Sequence, residues 1–188
     1  SIPADCIVSD EIDRSSAHIL SQYTSRLSHS PWKLRRNFST PTMDGFGIAA
    51  KMQTSRRFRN ICKCDHCNHQ FVPDYYQHVV IPGYGDKLET ISKALLQRIR
   101  WKEAALLCPR CGLKPDLSLP NREWVQENLD DHHDAAGYYI SPFDAPAIIR
   151  TSQLVKDSTN YNRLTEFKNQ ALGLTAQDSE ETLVLEDI

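Results

Sequence analysis

Cys64-Asp65-His66-Cys67 and Cys108-Pro109-Arg110-Cys111-Gly112 decide how this chain is read, and 40 residues separate them. Each is a C-x2-C turn that aims two thiolates at one point, and together they complete a tetrahedral four-sulfur set suited to Zn2+. Gly112 fits the tight backbone of a metal knuckle. Four thiolates leave no coordination position open for water, so the expected zinc is structural and clamps segments that could not otherwise close a core. Cys62, His66 and His69 lie near enough to replace a thiolate, but the symmetric pairing favours Cys64, Cys67, Cys108 and Cys111. The alternative of two independent pairs, one redox-active, lacks a thioredoxin-like strand-helix context. Cys6 and Cys62 read as small core residues.

The insert between the knuckles carries a helix signal. Leu88, Ile91, Leu95 and Ile99 recur at three- and four-residue steps, and Asp86 can cap them. The metal unit is therefore read as an elaborated zinc ribbon spanning 61–120. A second cluster, Asp130-Asp131-His132-His133-Asp134, offers oxygen and nitrogen ligands, but neighbours on a loop rarely converge on one ion, so it reads as a solvated loop.

Ahead of the ribbon, residues 1–60 carry a strand-helix-strand signal. The apolar run Cys6-Ile7-Val8 ends in Asp10-Glu11, the layout of a Walker B strand that delivers an Asp to nucleotide-bound Mg2+ while the next Glu orients the attacking water. Any strand entering a loop can also end Asp-Glu. Ala17, Leu20, Tyr23 and Leu27 then mark an amphipathic helix, and Trp32, Leu34 and Phe38 line one side of a strand ending Ser39-Thr40-Pro41-Thr42. This predicts a βαβ unit whose hydroxyl residues sit at the edge where open α/β sheets bind ligands, or alternatively a strand followed by a Pro turn. The fold class is thus α/β: a partial P-loop-type parallel sheet unit, the zinc ribbon, and a helical linker over 121–188. In the linker, Ala147–Lys156 and Tyr161–Leu172 read as helices, the second with Gly173 at its C-terminal cap.

Net charge is only −2, but its distribution is uneven. Nine Lys and Arg between Arg26 and Lys63 face one acid, Asp44, whereas Asp178–Asp187 carries five acids and no base. The acidic end reads as a solvated linker or tail. In the basic block a helix around Gly47–Met52 leads through Arg56-Arg57-Phe58-Arg59 into the first knuckle. Lys51, Arg56, Arg57 and Arg59 are candidates for DNA phosphates, or else the cations of an exposed helix C-terminus. No apolar run approaches the roughly 18–20 residues of a membrane span, and the first residues lack the pattern of a signal peptide, so membrane and secretory readings fit poorly.

Taken in order, Val8-Ser9-Asp10-Glu11-Ile12-Asp13, Ser25-Arg26, Phe38-Ser39-Thr40-Pro41-Thr42 and the two knuckles resemble the large terminase subunit of tailed bacteriophages, in its zinc-bearing form. Glu123-Trp124-Val125, Ala136-Gly137-Tyr138-Tyr139-Ile140-Ser141-Pro142 and Phe167-Lys168-Asn169-Gln170-Ala171-Leu172-Gly173 look like that family's segment between ATPase and nuclease. The resemblance implies Asp10 as the Mg2+-side acid, Glu11 as the catalytic carboxylate, and Ser39-Thr40-Pro41 as the motif coupling ATP hydrolysis to movement. It further implies double-stranded DNA, a portal protein and a small terminase subunit as partners, a homo-oligomeric ring, and action at the procapsid portal in the host-cell cytoplasm.

Two departures qualify the resemblance. No G-x-x-x-x-G-K-[ST] loop occurs, since Gly45-Phe46-Gly47 and Gly83-Tyr84-Gly85 lack its ending, and the nuclease carboxylates would fall after Ile188. The expectation is a piece of a longer ATPase and endonuclease that is inactive by itself. The competing expectation is a stand-alone zinc-ribbon module that binds nucleic acid or protein.

Overall fold

The computed structural model describes residues 3–129 and 133–176. Strand β1 (Cys6–Ser9), helix α1 (Ala17–Thr24) and strand β2 (Leu34–Asn37) follow in the expected order, and the strands pair in parallel with Cys6 opposite Leu34 and Ser9 opposite Asn37. Burial alternates along β1: Ile7 and Ser9 are sheltered while Cys6 and Val8 are exposed, so one face of the pair stays open. Ser30 ties the pair at its base. Its hydroxyl donates to Asp5 at 2.7 Å and receives the amides of Trp32 and Lys33.

Helix α2 (Gly47–Gln53) leads into β3 (Arg56–Lys63), the longest strand and the centre of a mixed four-stranded sheet. The first knuckle turns β3 back onto β4 (Gln70–Phe71). Next come α3 (Tyr75–His78), β5 (Val79–Val80), α4 (Lys93–Leu96) and β6 (Ala105–Leu106), with β5 and β6 forming an antiparallel pair that places the second knuckle beside the first. Strand β7 (Arg122–Gln126) runs antiparallel along one edge of β3, and β8 (Ala136–Tyr139) runs parallel along the other, at the opposite end from β4. Helices α5 (Thr151–Ser158) and α6 (Leu164–Leu172) close the chain, and Gly173 ends α6 in the left-handed conformation at φ 65°.

Three sequence expectations change. The stretch read as a helical linker also supplies β7 and β8, because Trp124, Val125, Tyr138 and Tyr139 suit a pleated surface and find their partner strand far back in the chain. The insert helix breaks at Ile91, which is extended: Leu88–Thr90 is a single 3-10 turn, and the cap of α4 is Ser92, not Asp86, through a 3.3 Å bond from the Leu95 amide. Arg56–Arg59 lies in a strand rather than at a helix end.

The main core does not stop at residue 120. Cys62, Cys64, Phe71, Ile81, Leu106 and Cys108 from the knuckle unit share it with Phe143, Leu154, Val155, Phe167 and Leu172. Tyr75 meets Phe167 edge-on at 5.3 Å. A buried ion pair between Arg122 and Asp144 fastens β7 to the 3-10 turn Pro142–Asp144, with the Arg122 guanidinium also donating to the Phe143 carbonyl at 2.8 Å. Such a pair is strongly destabilising to break one-sidedly, since the remaining charge stays buried.

Candidate functional site

The two knuckles repeat one hydrogen-bond pattern. In the first, the Cys64 amide donates to the His69 carbonyl and the Asn68 amide to the Cys64 carbonyl, both at 2.8 Å. In the second, Cys108 donates to Leu113 and Gly112 to Cys108, both at 2.9 Å. The residue after each second cysteine is left-handed, Asn68 at φ 57° and Gly112 at φ 70°. The geometry that Gly112 announces in the sequence is thus met in the first knuckle by Asn, the side chain that best tolerates it after Gly.

All four sulfurs lie within 4.8 Å of one another. The Cys64–Cys111 and Cys67–Cys108 separations are 3.8 and 3.7 Å. A tetrahedron with Zn–S bonds of about 2.3 Å has edges of about 3.8 Å, which these two separations match, so the cluster could hold a metal ion and is consistent with zinc. The knuckles are also fastened to each other from outside: His66 Nε2 lies 3.1 Å from the Lys114 carbonyl, and the Asp116 amide donates to Asp65 at 3.0 Å. His66 therefore supports the cluster and does not join it.

The thiols are uneven in acidity. Burial alone would raise Cys108, but the amides of Cys111 and Arg110 outweigh it and hold the thiol down at about 7. The His69 amide favours the Cys67 thiolate, yet burial and the neighbouring sulfurs push that thiol up to about 12. A cation entering such a set releases protons, which makes its affinity pH-dependent. Cys62 is fully buried on β3, burial lifts its thiol to about 11, and it lies outside the four-sulfur group. Cys6 is exposed, against the core role expected for it.

At the other end of the fold, the C-terminal ends of β1 and β2 stand side by side. The Phe38 amide donates to the Ser9 carbonyl at 2.8 Å, and the Ile12 amide to the Phe38 carbonyl at 3.3 Å. Asp10 is exposed, and its Oδ1 accepts the Glu11 amide. Glu11 is left-handed at φ 51°, a costly conformation for Glu, and its Oε2 is shielded without a hydrogen-bond partner, 3.7 Å from Arg14 Nε. The Ser39 hydroxyl accepts the Asp13 amide at 3.1 Å, joining the Asp10–Asp13 loop to Ser39-Thr40-Pro41.

Asp13, which the sequence reading left without a task, organises this edge. One carboxylate oxygen accepts the Ile48 amide at 2.7 Å in the first turn of α2, and the other accepts the amide and hydroxyl of Thr42. Gly47 has no room for a side chain, because a Cβ would meet the Asp13 carboxylate at 2.3 Å. The same loop reaches the end of the described chain: the Ala176 amide donates to the Thr42 carbonyl, and the Thr175 hydroxyl donates to Asp44 at 2.6 Å.

Strand alternation divides the basic block. Arg56 faces one side of the sheet; Arg57 and Arg59 face the other, where Arg59 stacks on Tyr139 at 3.6 Å and pairs with Glu127 at 3.0 Å. Lys51 is exposed on α2. The four candidates therefore do not form one patch. Of the Asp130–Asp134 cluster only His133 and Asp134 are described, both exposed, and Asp178–Asp187 lies outside the described residues.

Among the described residues no helix is long and apolar enough to cross a membrane. Comparison with protein-family models, curated proteins and solved structures finds no match to this chain.

Proposed function

We propose that this chain is the part of a large-terminase-type packaging motor that runs from the Walker B strand of its ATPase into a zinc-ribbon module. In this reading Asp10 would hold the Mg2+ of bound ATP, Glu11 would orient the attacking water, and Ser39-Thr40-Pro41 would report the state of the nucleotide. The contact that carries the reading is the bond from the Asp13 amide to Ser39, which lets a displacement of the acid loop reach the hydroxyl loop directly. Asp13 passes that displacement on to α2 through the Ile48 amide and to Thr42, and Thr42 and Asp44 carry it to Thr175-Ala176. Zinc at Cys64, Cys67, Cys108 and Cys111 would keep the module rigid while the loops move, and double-stranded DNA, the portal and the small subunit would be its partners.

The test is an ATPase assay on the protein expressed from its intact reading frame. Glu11→Gln should lower turnover at least a hundredfold, on the order of 3 kcal/mol of barrier, while nucleotide still binds. Absence of wild-type turnover, or turnover that survives the change, rejects the assignment.

A stand-alone zinc module is the second reading, and one observation favours it. The core around the four cysteines is closed by residues between Cys62 and Leu172, with none drawn from β1, α1 or β2.

A further inference from the structure

We propose that the sheet face formed by Phe58, Trp124 and Tyr138 binds single-stranded nucleic acid, with unpaired bases stacked on the rings and a phosphate held by Arg56. The inference goes beyond the packaging reading and does not depend on Asp10 or Glu11.

The strand registers place these groups together. Phe58 lies opposite Tyr138 and Asn60 opposite Trp124, so the three rings share one face, with Arg56 two residues from Phe58 on the same side, about 7 Å along the strand. Phe58 and Tyr138 are stacked at 5.0 Å, and Trp124 meets Tyr138 edge-on at 5.2 Å. The rings hold each other in place, yet Tyr138 is 52 % and Trp124 40 % exposed. Helix α2 packs against the opposite face, where Met52 fills the space that a side chain at Gly137 would need.

Charge is sorted the same way. Residues on the ring face of the three strands are Arg56, Phe58, Asn60, Cys62, Arg122, Trp124, Gln126, Ala136 and Tyr138, with no acid among them; the Cys62–Arg122 end is covered by the core, and Glu123 falls on the reverse face. Arg122 is committed to Asp144, but Arg56 Nε is shielded from water and has no hydrogen-bond partner. A shielded Nε–H without an acceptor is costly, and a phosphate oxygen would satisfy it. Exposed rings on an open sheet with a cation beside them match splayed bases, whose π-faces are accessible; a duplex hides those faces in its own stack.

The zinc-loaded, full-length chain should be titrated by fluorescence anisotropy into labelled single-stranded DNA, the same sequence as RNA, and the duplex, each of about 15 nucleotides or base pairs. Single strands are expected to bind roughly tenfold or more tightly than duplex, and Tyr138→Ala should weaken them roughly tenfold while Tyr138→Phe preserves binding. Arg56→Gln should reduce the dependence of log affinity on log salt by about 0.7. Circular dichroism and zinc content of Tyr138→Ala should match the parent, since the ring is half exposed. The DNA and RNA arms identify the sugar that is preferred. Equal or tighter duplex binding, an unchanged affinity in Tyr138→Ala, or no binding to any of the three overturns the inference. None of these outcomes touches the ATPase assignment, which Glu11→Gln tests separately.

Discussion

Around the four sulfurs Phe71, Ile81, Leu106 and Val155 are closed off from water, whereas across the β1–β2 pair Val8, Trp32, Leu34 and Phe38 keep 64, 71, 48 and 49 % of their surface exposed. The knuckle half concentrates its organisation in one compact cluster. Two turns with identical hydrogen bonding meet at a point, and helices α5 and α6 complete a core over them. The amino-terminal half is assembled from polar ties instead, Ser30 to Asp5 at the base of the strands and Asp13 to Thr42 and Ile48 at their ends. Parallel strands are ordinarily covered on both faces, so this half presents an incomplete layer. A core closed over four cysteines that could hold a metal ion can be self-sufficient at small size, whereas a two-stranded parallel unit depends on the polar ties that Asp13, Ser39 and Asp44 make at its edge.

That contrast can be broken most forcefully at the metal. Changing Cys64 and Cys111 to Ser should remove zinc and unfold the shared core from Cys62 to Leu172, because structural zinc binding in finger peptides supplies on the order of 10–16 kcal/mol of folding free energy. Metal analysis and near-UV circular dichroism read the outcome; a double variant that retains stoichiometric zinc rejects the ligand set.

Phe167 is the next largest lever. It is 1 % exposed against Tyr75 and Tyr161, so Phe167→Ala should cost about 3–5 kcal/mol and loosen α6 while the four-sulfur cluster keeps its zinc. Denaturant unfolding of the zinc-loaded protein gives the first number, and a loss below about 1 kcal/mol would mean that α6 is not part of the shared core.

In the other half, Asp13→Asn removes a charged acceptor from the Ile48 and Thr42 amides, for an expected local loss of about 2–3 kcal/mol. Amide exchange should quicken at Ile48 and Thr42 and stay unchanged at Cys64 and Cys108. Equal changes in both halves would show that they unfold as one unit.

The smallest effect is a pH dependence at His78. Its Nδ1 accepts the Asp74 amide at 3.0 Å and its ring lies edge-on to Phe71, and burial, opposed by Asp74 and reinforced by His69, lowers its pKa from 6.5. The unfolded state then takes up a proton before the folded one does. Stability should therefore be unaffected above about pH 6.5 and decline as pH falls from there toward the lowered value. His78→Gln should flatten that decline relative to the parent; an identical slope in both would assign it to the cysteines.

What the sequence disclosed follows the same division. The knuckles were legible because spacing along eight or so residues encodes the chemistry, and the β1–α1–β2 order because hydrophobic period and turn residues are local. Asn68 was not, since a left-handed Asn carries no signal comparable to Gly112. Strands β7 and β8 were missed as partners of β3 because their registers join residues sixty or more positions apart, and alternation in Arg56-Arg57-Phe58-Arg59 was obscured by reading its charges as one block. Asp13 was overlooked behind Asp10-Glu11: the third acid of that run looks redundant until Thr42 and Ile48 fold back onto it.

Hydrogen exchange of the zinc-loaded chain before and after chelation tests the account most directly. Loss of protection throughout the shared core, including Phe71, Leu106, Val155 and Phe167, with little change along β1 and β2, is the predicted result. Protection that survives chelation in that core, or that collapses equally in β1 and β2, would contradict a metal-centred core standing beside a separately held loop edge.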